Sequence, residues 1–96
     1  MIKNKNKNKN KNKPKWLENM SFREEGKVVK NPYTNQEYEL NNVELTVYEN
    51  IMHLSSLIER KGGVFNSATG TLQRKMAKQL SWFRKNNPQA YMVLLD

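Results

Sequence analysis

The sequence predicts an α+β domain, mainly α, in which a small β-hairpin packs on two antiparallel helices, with a short C-terminal helix and a disordered basic N-terminal tail. Three observations predict it. Residues 42–61 and 71–86 repeat apolar side chains at the three-and-four spacing of amphipathic helices. Residues 27–40 set a valine pair and an alternating Glu-Tyr-Glu-Leu run on either side of an Asn-Pro turn. The first fifteen residues, of which only Met1, Ile2 and Pro14 are neither Lys nor Asn, offer nothing to a core.

The tail, residues 1–15, comes first in the chain. Its "KNKNKNKNKNK" at residues 3–13 has the two-residue period of a strand, yet both faces would be polar and nothing would bury them. Lysines at every second position repel one another, so the segment is expected to stay extended and solvated. As a working device it would be an arm that neutralises phosphates without reading sequence. As an accident it would be a two-codon repeat lengthened by replication slippage at a tolerant terminus. A start of translation at Met20, where "MSFREEGKVV" begins, is a third reading.

Residues 16–96 form the single small domain. In the hairpin, residues 27–40, Val28 and Val29 open an extended run, Asn31-Pro32 starts a turn, and Asn35 closes it in the left-handed conformation. On the returning strand Tyr38 and Leu40 share one face and Glu37 and Glu39 the other. A lone hairpin is marginal in water, so it must lean on the helices. The first long helix, residues 42–61, is capped by Asn41 with Glu44 three residues on, and Leu40 and Leu45 flank that cap as a staple. Val47, Tyr48, Ile51, Leu54 and Ile58 are its buried stripe, and Arg60, Lys61 and Gly62 its end.

A polar, glycine-punctuated loop, residues 62–70, leads to the second helix, residues 71–86. There Leu72, Met76, Leu80 and Phe83 fall within an arc of about 80° at 100° per residue and are expected to be the buried stripe, and Arg74, Lys78 and Lys85 fall together opposite, with Trp82 at their edge. Asn87-Pro88 ends this helix and caps a short one over residues 88–95, with an extended segment as the alternative given the β-branched Val93 and the short length.

The net charge is +8, but residues 3–15 hold seven lysines and no acid, whereas Trp16 to Asp96 holds ten basic and nine acidic residues, a net +1. The high isoelectric point therefore belongs to the tail. Without cysteine the chain has no disulfide framework and no thiolate metal site, and an intracellular home is the default. No apolar run approaches the roughly 18 to 20 residues of a membrane span, and no secretory leader is read at the start.

Catalysis finds little to work with. His53 is the only histidine, and its place four residues after Glu49 suggests a surface pair on one helix. The close acid pairs, Glu24-Glu25 and Glu37/Glu39, come with no histidine. "KGGVFNSATG" lacks the Gly-Lys-Ser/Thr ending of a phosphate loop and follows a helix instead of a strand. The expectation is a non-enzyme with no cofactor and no metal. Two surfaces remain. Arg74, Lys75, Lys78, Trp82, Arg84 and Lys85 are candidates for nucleic-acid contact, a basic helix face with an aromatic able to stack on a base. The bland alternative is a solvated face whose lysines offset the acids of the first helix. Trp82, Tyr91 and Met92 are candidates for an apolar partner patch.

From Lys30 onward the chain resembles a group of small uncharacterised proteins of tailed phages that infect marine bacteria, cyanobacteria especially. The likeness rests on "NPYTNQEYELNNVE" after the valine pair, on the helix around "VYENIM" and above all on the ending "WFRKNNPQAYMVLLD". Asn35 stands where that group usually has glycine, which a left-handed turn position tolerates. The resemblance implies a phage product in the cytoplasm of a bacterial host, with a place in the virion as the alternative, and transfers no activity. Since the folded part is nearly neutral, a protein partner or a second copy is the favoured partner class. Nucleic acid, through the tail and the second helix, is the alternative, and no membrane is expected.

Overall fold

The computed structural model describes residues 14–95; the Lys-Asn repeat, expected to be disordered, lies outside the described residues. The described chain is mainly helical: α1 (Lys15–Glu18), β1 (Lys27–Lys30), β2 (Glu37–Leu40), α2 (Asn42–Arg60), α3 (Gly70–Asn86) and α4 (Pro88–Leu94). A 3-10 turn, Ser67–Thr69, sits inside the loop before α3. The short helix α1 was not foreseen from sequence, and Lys15, counted with the tail, is its first residue.

The hairpin forms as its residues dictate. β1 and β2 pair antiparallel with Val29 opposite Tyr38 and Lys27 opposite Leu40. Tyr38 and Leu40 are buried and Glu37 is exposed, so the strand period sorts the two faces. The Asn31 side-chain oxygen accepts from the Tyr33 amide at 2.8 Å, while Asn35 takes φ 64° to close the turn. The other end of that Asn31 amide donates to the Val93 carbonyl at 2.9 Å, which ties the turn to α4.

At the start of α2 the capping box is complete: Glu44 N donates to Asn41 Oδ1 at 2.8 Å, and Asn41 N donates to Glu44 Oε1 at 3.1 Å. At its end Gly62 and Gly63 adopt φ 109° and 85°, donating to the Glu59 and Ile58 carbonyls at 3.3 and 2.8 Å. Those positive φ values require glycine, and the crossed bonds satisfy carbonyls the helix leaves open. Val47, Tyr48, Ile51, Leu54 and Ile58 are all buried, so the stripe read from spacing is the packed face.

α2 and α3 run antiparallel, since Asn50 bonds Gln79 at 2.7 Å while Glu44, six residues earlier, bonds Asn86 at 2.9 Å. Phe83 is fully buried against Tyr48, with ring centroids 6.4 Å apart. Leu72, Met76 and Leu80 are only half-buried, and the second wholly buried residue of α3 is Gln79, whose partner is Asn50. The core also takes in Leu17 of α1, at 0% exposure, and Ala90 and Leu94 of α4.

Behind Phe83 lies a buried polar junction. Glu44, at 0% exposure, accepts from the side-chain amides of Asn86 and Asn87 at 2.9 and 3.1 Å. Asn87 in turn accepts from the Tyr38 hydroxyl at 3.3 Å and caps α4 by accepting from the Ala90 amide at 3.1 Å. One carboxylate thus joins the start of α2, the end of α3, the start of α4 and the hairpin. The Glu49–His53 pair expected on α2 is superseded: both Glu49 oxygens accept from the Arg23 guanidinium, at 2.7 and 3.0 Å. The guanidinium offers two N–H donors in a fork that matches the two carboxylate oxygens.

Candidate nucleic-acid interface

An open groove of about 600 Å³ runs along the outer face of α3, lined by Arg74, Ala77, Lys78, Ser81, Trp82 and Lys85, with Pro14 and Trp16 on its other side. The α3 members fall within an arc of about 140° at 100° per residue, so helix geometry alone gathers them. Placing α1 beside that arc turns a convex helix face into a groove. α1 is held there by Leu17, which is pinned in the core, and Pro14 is fixed to α1 by the Leu17 and Glu18 amides, which donate to its carbonyl at 3.0 and 3.1 Å.

Trp16 and Trp82 meet edge to face, ring centroids 6.2 Å apart and planes at 84°. Both pack against the core on one side and are only partly buried, so indole surface remains in the groove. Beside them Arg74, Lys78 and Lys85 are exposed. α3 carries no acid, and among the described residues the salt bridge that forms is Arg23–Glu49, away from α3. Two acids of α2 have their partners elsewhere: Glu44 accepts from Asn86 and Asn87, and Glu49 from Arg23.

Of the six residues assigned to nucleic-acid contact from sequence, the groove brings together Arg74, Lys78, Trp82 and Lys85, while Lys75 and Arg84 do not line it. The trio Trp82, Tyr91 and Met92 is divided by burial. Met92 is 67% exposed, Tyr91 is half-buried against the core, and Trp82 belongs to the groove. Sequence reasoning missed Trp16 as a site residue. The signal was there, because it is one of only two tryptophans and directly follows Pro14 and Lys15, but nothing in the spacing says that it meets Trp82.

Besides Met92, the apolar side chains left most open lie at Phe65 (100% exposed), Tyr33 (94%) and Val64 (57%). Among the described residues no three His, Cys, Asp or Glu side chains are placed to hold a metal ion, and no helix is long and apolar enough to cross a membrane. No family model matches the chain, and neither a curated protein nor a solved structure matches it significantly.

Proposed function

We propose that the protein is a non-enzymatic binder of nucleic acid and that the groove on α3 is its contact surface. The observation that carries this reading is the collection of three exposed, acid-free cations beside two partly open indoles. Cations left without carboxylate partners keep their full attraction for phosphate, and that attraction is realised by releasing counterions. Pro14 lines the groove, and six lysines stand at residues 3–13 immediately before it in sequence, so the strongest positive charge of the chain is joined covalently to the groove wall. Within the phage setting that the resemblance implies, the ligand would be met in the host cytoplasm.

The test is binding of the full chain to a fluorescent oligonucleotide across a salt series, compared with Arg74→Gln/Lys78→Gln/Lys85→Gln. The triple variant is expected to bind more weakly and to lose about 2 from the slope of log affinity against log salt, at about 0.7 per phosphate contact on a single strand. An unchanged slope would mean that any affinity lies outside the groove, and the reading fails.

A second reading, a protein partner, draws on one observation. The loop after α2 is held by Thr69, whose hydroxyl lies 3.0 Å from the Gly63 carbonyl, and by Gln73, which donates to the Val64 carbonyl at 2.8 Å, yet it leaves Val64 and Phe65 exposed. A tip tied down at its base and apolar at its end is suited to insertion into a partner pocket. Recovery of a partner from infected cells with nuclease present, and its loss with Val64→Ser/Phe65→Ser, would favour it.

A further inference from the structure

We infer that the groove selects single-stranded over double-stranded nucleic acid, by stacking an unpaired base on the indole surface of Trp16 and Trp82. The inference rests on the nucleic-acid reading above and adds the form of ligand that fits. Its ground is geometric. Two indoles with planes at 84° make a corner and not a flat wall, and each has its remaining surface in the same groove as Arg74, Lys78 and Lys85. A flat, π-faced group that lies against one ring presents its edge to the other, which is the pairing aromatic quadrupoles favour. In a duplex the base faces are hidden in the stack, so only an unpaired base can use the corner.

The cations fit the same strand. From Arg74 to Lys85 the helix advances about 16 Å at 1.5 Å per residue, which matches about five nucleotides at the 3.4 Å spacing of a stacked strand. The small side chains of Ala77 and Ser81 leave room along that row. A duplex reader would instead offer a helix that projects into the major groove, about 12 Å wide. Here α3 does not project alone but is flanked by Pro14 and Trp16.

The chain provides its own reporter, because Trp16 and Trp82 are its only tryptophans and both line the groove. The full chain is titrated with a thymidine oligonucleotide, with a hybridised duplex of equal charge and with inorganic polyphosphate, which has phosphates but no bases. The single strand is expected to quench tryptophan fluorescence, polyphosphate to bind without quenching, and the duplex to bind more weakly than the single strand.

Trp82→Leu, checked for an unchanged circular dichroism spectrum, should lose roughly 5- to 150-fold in affinity for the single strand, the worth of one stacked base, with polyphosphate affinity unchanged. Trp82→Phe, which keeps an aromatic face, should recover most of it. Equal binding of all three ligands with no quenching overturns base stacking and leaves the nucleic-acid reading standing. Absence of binding to any of them, or polyphosphate binding that survives loss of Arg74, Lys78 and Lys85 unchanged, overturns both. The wild-type quenching experiment decides the matter even if a tryptophan variant fails to fold.

Discussion

α2 and α3 are neighbours of similar length, 19 and 17 residues, built on opposite plans. α2 buries nine residues, is closed by a capping box at one end and by two glycines at the other, and holds Glu44 and Glu49 in defined pairings. α3 fully buries only Gln79 and Phe83, has no side-chain cap bond at its N-terminus, and among the described residues its cations form no salt bridge. The contrast teaches how a chain this short divides labour. One helix spreads its anchoring over its whole length, while the other concentrates it in one large side chain and keeps the rest of its circumference for contact.

The sharpest way to break this comparison is Phe83→Ala. Removal of the one wholly buried apolar side chain of α3 should cost about 3–5 kcal/mol, read by urea denaturation. Val47→Ala, one of many anchors on α2, should cost clearly less. Comparable losses would show that α3 is not hung on a single residue.

Next in size is Glu44→Gln. An amide offers one oxygen where the carboxylate uses two, to serve the Asn41 amide on one side and Asn86 and Asn87 on the other. One side of the junction is then left facing a donor, at a cost of about 1–3 kcal/mol by the same measurement.

Alkaline pH probes Tyr48 of α2 together with Tyr38 of β2. Burial lifts the Tyr38 phenol above its ordinary 10.0, the Asn87 hydrogen bond opposes this, and the charge of Glu44 adds to it; burial also lifts Tyr48. Unfolded phenols therefore ionise first. The contribution is whole below about pH 10 and is lost as pH rises through the raised values, so the urea midpoint should fall above pH 10 and stay flatter in Tyr38→Phe/Tyr48→Phe.

The smallest expected effect is on stability in Arg74→Gln/Lys78→Gln/Lys85→Gln. Exposed residues that form no salt bridge, Arg74 donating only to the Thr71 hydroxyl at 3.3 Å, should each contribute within about 0.5 kcal/mol, even as ligand affinity falls. A large loss of stability would make these residues part of the scaffold and erase the contrast between the helices.

Most of the fold was legible because its signals are local. The capping box at Asn41 and Glu44, the left-handed turn at Asn35 and the stripe from Val47 to Ile58 each arise from residues a few positions apart. What escaped is long-range. Nothing near Arg23 in sequence announces Glu49, and nothing around Glu44 announces Asn86 and Asn87, more than 40 positions away. α1 escaped because a four-residue helix has no periodicity to detect; Leu17 earns its place through burial, a property of the assembled domain. The site was half legible: angular position on α3 gathered Arg74, Lys78, Trp82 and Lys85, but the wall that makes them a groove comes from the other end of the chain.

Leu17 has a further effect that reaches past the core. By nailing α1 in place it fixes Pro14 at the groove, so any charge borne by the preceding residues is delivered there on a tether and not from bulk solution. Such charge counts by effective molarity, which for a short tether is in the millimolar range. Leu17→Ala would thus weaken avidity by releasing the point of attachment, without removing a single cation.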